Sequence, residues 1–194
     1  MIEPHLLLQA YASGWFPMAV DVPDGEGDAI EWFSPNPRGV LPLDSFRVPA
    51  RLARVIRQGR FEVALDRAFA EVVRACAERD ETWINAEILD SYVNLHRLGF
   101  AHSVECRLGG ELVGGLYGVS LRGAFFGESM FHRATDASKV ALCALVERLR
   151  DRRYDLLDVQ WVTPHLAQFG AVEIPRRQYL RRLAHAMTLE RSFT

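Results

Sequence analysis

Three consecutive runs, Ser103–Arg107, Glu111–Val119 and Gly123–Phe131, are apolar or alternate in polarity, and Leu108-Gly109-Gly110 separates the first two. Period-two patterning broken by a glycine turn predicts an antiparallel meander. From Ser138 to about Arg150 the pattern changes to helical spacing, with Ala141, Leu145, Val146 and Leu149 on one face. Leu156–Trp161 is then short and apolar enough for a buried strand. A meander, a helix and one further strand restrict the chain to an α+β architecture.

Upstream, Leu6–Tyr11 reads as a short helix ending at Gly14. Prolines punctuate the stretch from Phe16-Pro17 to Pro35-Asn36-Pro37-Arg38, which predicts irregular chain there. Val48–Gln58 reads as a basic helix and Phe61–Leu65 as a strand. Asp66 is placed to cap a helix with the stripe Phe69, Val72, Val73 and Cys76, and Asn85 to cap one burying Ile88, Tyr92 and Leu95. Short helices at His165–Phe169 and Arg177–Met187 complete the reading. The meander–helix–strand order resembles an N-acetyltransferase-like (GNAT) core, which by itself says only that acyl transfer is open.

Composition excludes several classes. A chain of 194 residues with 49% hydrophobic residues builds a core without staples. Cys76, Cys106 and Cys143 are odd in number and lack metal-ligand spacing, so reduced core thiols and a cytoplasmic protein are expected. The N-terminus lacks the pattern of a signal peptide, and no run approaches a membrane span. The net charge is −2, and Lys139 is the only lysine among 23 basic residues. Arginine content therefore says little, but Arg51, Arg54, Arg57 and Arg60 recur every third residue as a broad basic face. That face is either solvated or meets phosphates.

Several blocks carry a resemblance: Ala12-Ser13-Gly14-Trp15-Phe16-Pro17, Trp32-Phe33-Ser34-Pro35-Asn36-Pro37-Arg38, Glu81-Thr82-Trp83-Ile84, and Leu95 through Glu105. Gly114 through Val119, Phe126-Gly127-Glu128-Ser129-Met130-Phe131, Ala137-Ser138-Lys139, Asp158-Val159-Gln160, Gly170-Ala171 and Ile174-Pro175-Arg176 follow in order. Together they are similar to the leucyl/phenylalanyl-tRNA–protein transferase family. The resemblance implies a GNAT-like core with a shortened N-terminal segment, as a small segment at residues 1–35 and an aminoacyltransferase domain at 36–194. It also implies transfer of Leu or Phe, with Met as a third donor, from aminoacyl-tRNA to proteins beginning with Arg or Lys. That transfer creates a destabilising N-terminus for protein degradation. The ester is already activated, so no cofactor or metal is implied, and a monomer is expected.

Aminolysis requires an aligned, neutral amine and a destination for its proton. Asp158 and Gln160, two apart on a strand, share a face, where they either form a strand-end network or work on the substrate. The resemblance implies that Asp158 and Gln160 are the catalytic pair, the Gln160 carbonyl accepting from the attacking amine while Asp158 polarises or positions it. By the same spacing Glu128 and Met130 share a face, and Gly127 permits close approach. The resemblance places Gly127, Glu128 and Met130 around the aminoacyl-adenosine, with Leu116, Leu145, Leu149 and Leu157 as pocket wall or plain core. Trp83 either stacks on adenine or covers the core. The resemblance also counts Met18 among the substrate-binding residues, at a position where many family members carry tryptophan. The Arg51–Arg60 face would meet the tRNA acceptor stem. Two rivals remain: an acyl-CoA transferase, disfavoured by the glycine-free Phe131–Ala137 junction, and a tRNA-binding module, which leaves Asp158 and Gln160 unexplained.

Overall fold

The computed structural model describes residues 1–22 and 27–194. Strands β4 (Glu62–Leu65), β5 (Ala101–Leu108), β6 (Glu111–Leu121), β7 (Ala124–His132) and β8 (Leu156–Gln160) lie in that order in one sheet. The edge is formed by β3 (Arg38–Val40) and β9 (Val172–Ile174). All neighbours are antiparallel except β7 and β8, which are parallel and connected through helix α5 (Ala137–Asp151). The meander, the helix and the returning strand thus stand where the sequence patterning put them, and the fold is α+β.

Helices cover both faces, because successive strand residues point to opposite sides and both sides are apolar. One core lies under α1 (Pro4–Ala12), α3 (Phe69–Ala77), α4 (Ala86–Arg97) and α7 (Arg176–Ala186), and holds Tyr11, Tyr92, Tyr117, Val119 and Phe126. The second lies under α2 (Ala50–Arg57), α5 and α6 (Pro164–Ala167), and holds Val104, Leu116, Phe125, Leu145 and Leu157. Cys76, Cys106 and Cys143 are free and buried, and burial pushes each thiol up to about 12, as unreactive core groups.

Three local expectations are corrected. The proline-rich stretch is not wholly irregular: β1 (Phe16–Asp21) and β2 (Asp28–Phe33) pair antiparallel as a separate two-stranded sheet, residues 23–26 lying outside the described residues. Proline disfavours helix in its predecessor but tolerates extended chain, and Pro17 sits inside β1. Asp66 does not cap α3. It adopts φ 58°, accepts from the Ser103 amide at 2.8 Å and pairs with His102 Nδ1 at 2.7 Å. Glu105, reaching from β5, takes the Ala68 and Arg67 amides at 3.2 and 3.4 Å instead. The basic helix ends at Arg57, which leaves Arg60 beyond it with its guanidinium over the Phe61 ring. Asn85 does cap α4, accepting from the Ile88 amide at 2.9 Å.

Strand β3 is three residues long, yet it places the site. Gly39 stands opposite Gln160, and a Cβ there would lie 2.7 Å from the Trp161 carbonyl carbon. Backbone cannot move aside as a side chain tip can. Gly39→Ala should therefore destabilise the protein by about 1–3 kcal/mol, as overpacking does. Urea unfolding measures this, and an unchanged midpoint would show that β3 and β8 are not held this close.

Candidate active site

Strands β7 and β8 pair over Ala124–Phe126 and Leu156–Asp158 and then part. The wedge between them opens into a cavity of about 420 Å³, within the size range of small-molecule sites. Gly127, Glu128, Ser129 and Met130 line it from β7, and Val159, Gln160 and Trp161 from β8 and the residue after it. On the second-core side the wall is apolar: Leu116, Met130, Leu142, Leu145, Leu157 and Leu166, ending in Ser138, His132 and His165. On the first-core side it is formed by Phe16, Met18, Arg79, Trp83 and Tyr117. The cavity therefore passes from one face of the sheet to the other.

A β-bulge makes this possible. Tyr117 pairs with Ser129 and Gly118 with Gly127, so Glu128 has no partner on β6. The extra residue reverses alternation, and Phe126 and Phe131, five apart, both face the first core. The expected common face of Glu128 and Met130 is corrected for the same reason. Met130 packs with the second core, whereas Glu128 turns to the first and accepts from Tyr11 at 2.7 Å and Tyr92 at 3.1 Å. Tyr11 and Tyr92 also bond each other. Burial raises the Glu128 carboxyl to about 7, although the two tyrosine hydrogen bonds pull it down.

Asp158 is fully buried and does not line the cavity. Arg38, equally buried, donates to it through Nε at 3.0 Å and Nη2 at 2.7 Å, and gives Nη1 to the Gly14 carbonyl at 3.1 Å. The Tyr179 hydroxyl at 2.6 Å and the Gln160 amide at 2.9 Å complete the shell of the carboxylate. The Phe16 and Tyr179 rings lie against the guanidinium at 4.9 and 4.6 Å. Held this way, Gln160 takes φ 57° at the centre of a γ-turn closed by Trp161 N and Val159 O at 2.6 Å. Such a backbone is costly for a residue with a Cβ and persists only where its surroundings enforce it. Its side-chain Nε2 reaches Glu128 Oε1 at 3.4 Å, which leaves the amide oxygen as the free acceptor.

Residues 40–184 match the family model described as leucyl/phenylalanyl-tRNA protein transferase, and residues 1–36 the model of its N-terminal domain. The chain belongs to the leucyl/phenylalanyl-tRNA–protein transferase family. It is 56% identical over 192 residues to the transferase of that name from Gloeobacter violaceus, covering 99% of this chain and 97% of that one. The Rubrobacter xylanophilus transferase is 53% identical over 193 residues, at 99% and 98% coverage. That of Phenylobacterium zucineum is 57% identical over 192 residues, at 96% and 85%. A ribosomal-protein-alanine N-acetyltransferase structure from Brucella melitensis aligns over 56% of this chain and 86% of that one, with 16% identity and a TM-score of 0.41.

Set against the residues expected of this family, Met18, Trp83, Leu116, Gly127, Glu128, Met130, Leu145, Leu157 and Gln160 all line the one cavity. Leu149 does not. It lies one helical turn beyond Leu145, wholly inside the second core, and Leu142 takes the wall position on the preceding turn. Arg51, Arg54, Arg57 and Arg60 are exposed and away from the cavity wall. Reading the sequence missed Arg38, Tyr11, Tyr92 and Tyr179. Arg38 closes the Trp32–Arg38 motif, but its partner lies 120 residues away. Leu142 was legible as the i−3 neighbour of Leu145 on the α5 stripe.

Removing one member of a buried ion pair strands the other charge. Arg38→Met and Asp158→Asn should each cost about 3–5 kcal/mol in chemical unfolding. A loss below 1 kcal/mol in both variants would show that the pair does not hold β3, β8 and α7 together.

Proposed function

We propose that this chain transfers Leu or Phe, with Met as a third donor, from aminoacyl-tRNA to the N-terminal α-amine of proteins beginning with Arg or Lys. The observation that carries the reading is the two-faced cavity. Its apolar wall suits a Leu or Phe side chain, with Met130 supplying a flexible surface that accepts both shapes. Its other face presents Trp83 and Met18, where adenine would lie. Glu128 and the Gln160 amide sit between, where the ester carbonyl would be. Membership of the family supports the same donor and chemistry. No helix among the described residues is long and apolar enough to cross a membrane. We place the protein in the cytoplasm, acting as a monomer, with residues 1–35 and 36–194 as its two parts.

In the reaction the acceptor amine attacks the carbonyl carbon, a C–N bond forms and the bond to the ribose 3′ oxygen breaks. Gln160 Oε1 accepts a hydrogen bond from the amine and aligns it. Asp158, committed to Arg38, Tyr179 and the Gln160 amide, acts as a positioning residue. Glu128 is the carboxylate that meets the substrate: it takes the proton leaving nitrogen and returns one to the 3′ oxygen. A base near pH 7 suits an amine that titrates near pH 8.

The direct test supplies radiolabelled leucyl-tRNA and a peptide beginning with Arg or Lys. Label should enter the peptide without CoA or ATP, and label that stays on tRNA defeats the reading. In single turnover, the wild-type rate should rise with pH through about 7 as Glu128 ionises. Glu128→Gln should lose about 10²–10⁴-fold and retain only the rise toward the amine's own pKa. An unaltered profile would return Glu128 to a binding role.

The tRNA surface is assigned to Arg51, Arg54 and Arg57 on α2, with Arg60 just beyond, all exposed. Neutralising Arg54 and Arg57 together should reduce the salt slope of tRNA binding by about 2 while sparing a minimal leucyl-adenosine donor. Equal losses with both donors would mean that the tRNA body lies elsewhere.

A further inference from the structure

We propose that Arg79 binds the phosphate on the 5′ side of the donor's terminal adenosine, so that base and phosphate of one nucleotide are held by Trp83 and Arg79. The inference rests on the tRNA-donor reading above. Arg79 is the only arginine or lysine lining the cavity among the described residues. Its guanidinium is anchored: Nε donates to the Cys76 carbonyl at 2.8 Å and Nη2 to the Ser129 hydroxyl. Nη1 takes no partner, and no carboxylate lies within ion-pair distance among the described residues. The preceding Glu78 is turned instead to Arg133 at 2.6 Å. A guanidinium held by Cys76 and Ser129, exposed, without a carboxylate partner and lining a cavity is suited to a phosphate oxygen.

The side of the sheet identifies the ligand. Arg79 follows α3 and grips Ser129, which the bulge turns to the first-core face. Trp83 lies four residues on and packs against that same core. If the amino-acid side chain enters the apolar wall on the opposite face, ribose and 5′ phosphate remain on the face that carries Trp83 and Arg79. His132 and His165 also line the cavity, but at the end of the apolar wall beside α5 and α6, across the sheet from Trp83. They cannot serve a phosphate joined through one sugar to adenine on Trp83.

The test compares 3′-O-leucyl-adenosine with 3′-O-leucyl-adenosine 5′-monophosphate as donors, reading kcat/KM for transfer to an Arg-initiated peptide. The wild type should favour the phosphorylated donor by about tenfold, the scale of one charge-assisted hydrogen bond at a partly exposed site. In Arg79→Gln that preference should fall to about one, and Arg79→Lys should restore part of it. A wild type indifferent to the phosphate overturns the assignment. So does an Arg79→Gln variant that loses activity equally with both donors, because a lock on the loop would act in that way. Absence of transfer from leucyl-tRNA itself would overturn the donor reading and is distinguishable from either.

Discussion

A guanidinium and a carboxylate buried together, Arg38 and Asp158, hold the functional half of the molecule in place. Neither side chain reaches water, so each ion survives only with its hydrogen-bonding capacity filled by the other, by Tyr179, by the Gly14 carbonyl and by the Gln160 amide. Those partners come from β3, β8, α7 and the turn after α1. The pair therefore fastens a three-residue strand that hydrogen bonding alone would hold weakly, and with it the end of β8. An apolar pair of equal volume could fill the space. It would not orient the Gln160 amide or enforce the positive φ that aims its side chain into the wedge.

The second constraint is geometric. Two parallel strands that separate expose unpaired backbone, and the cavity occupies that gap. The bulge at Glu128 resolves a conflict between two requirements. Met130 must remain on the apolar face with the leucines of α5 and β8, while a carboxylate must point to the other side. Regular alternation would have put both on one face and placed a carboxylate against the apolar wall of the cavity. Gly118 opposite the bulge has no Cβ to collide with the Phe126 carbonyl, which lets β7 kink at this point.

Electrostatics then divide the cavity. Glu128 is desolvated but not isolated, since Tyr11 and Tyr92 donate to it and Tyr117 lies close by. The result is a carboxyl group that changes protonation near neutral pH instead of in the usual glutamate range. Asp158, with a full-strength cation at 2.7 Å, has a different environment and a different part to play. One carboxylate lines the cavity, the other holds the Gln160 backbone at its edge. Both side chains enter the first-core face, and their difference follows from their partners: Arg38 pairs with Asp158, whereas Glu128 accepts from Tyr11 and Tyr92.

Much of this was legible in the sequence because it is local. Period-two runs at 103–131 specify strands, the Ala141–Leu149 stripe specifies α5, and Asn85 caps α4 through an amide three residues on. The motif blocks likewise contain Trp83, Leu116, Gly127, Glu128, Met130 and Gln160, which all line the cavity. What was not legible depends on distance or on broken periodicity. Arg38 and Asp158 are far apart in the chain, and a buried ion has no signature until its counter-ion is located. Glu105 takes the capping task expected of Asp66 because β5 brings a better-placed carboxylate to the start of α3. The face of Glu128 could not be read by counting residues, since a single unpaired residue inverts the count. Leu149 had the right spacing for the pocket, but packing placed it one turn too deep. Periodicity determines which residues are buried; the contacts between distant strands and helices determine against what, and chemistry depends on the second.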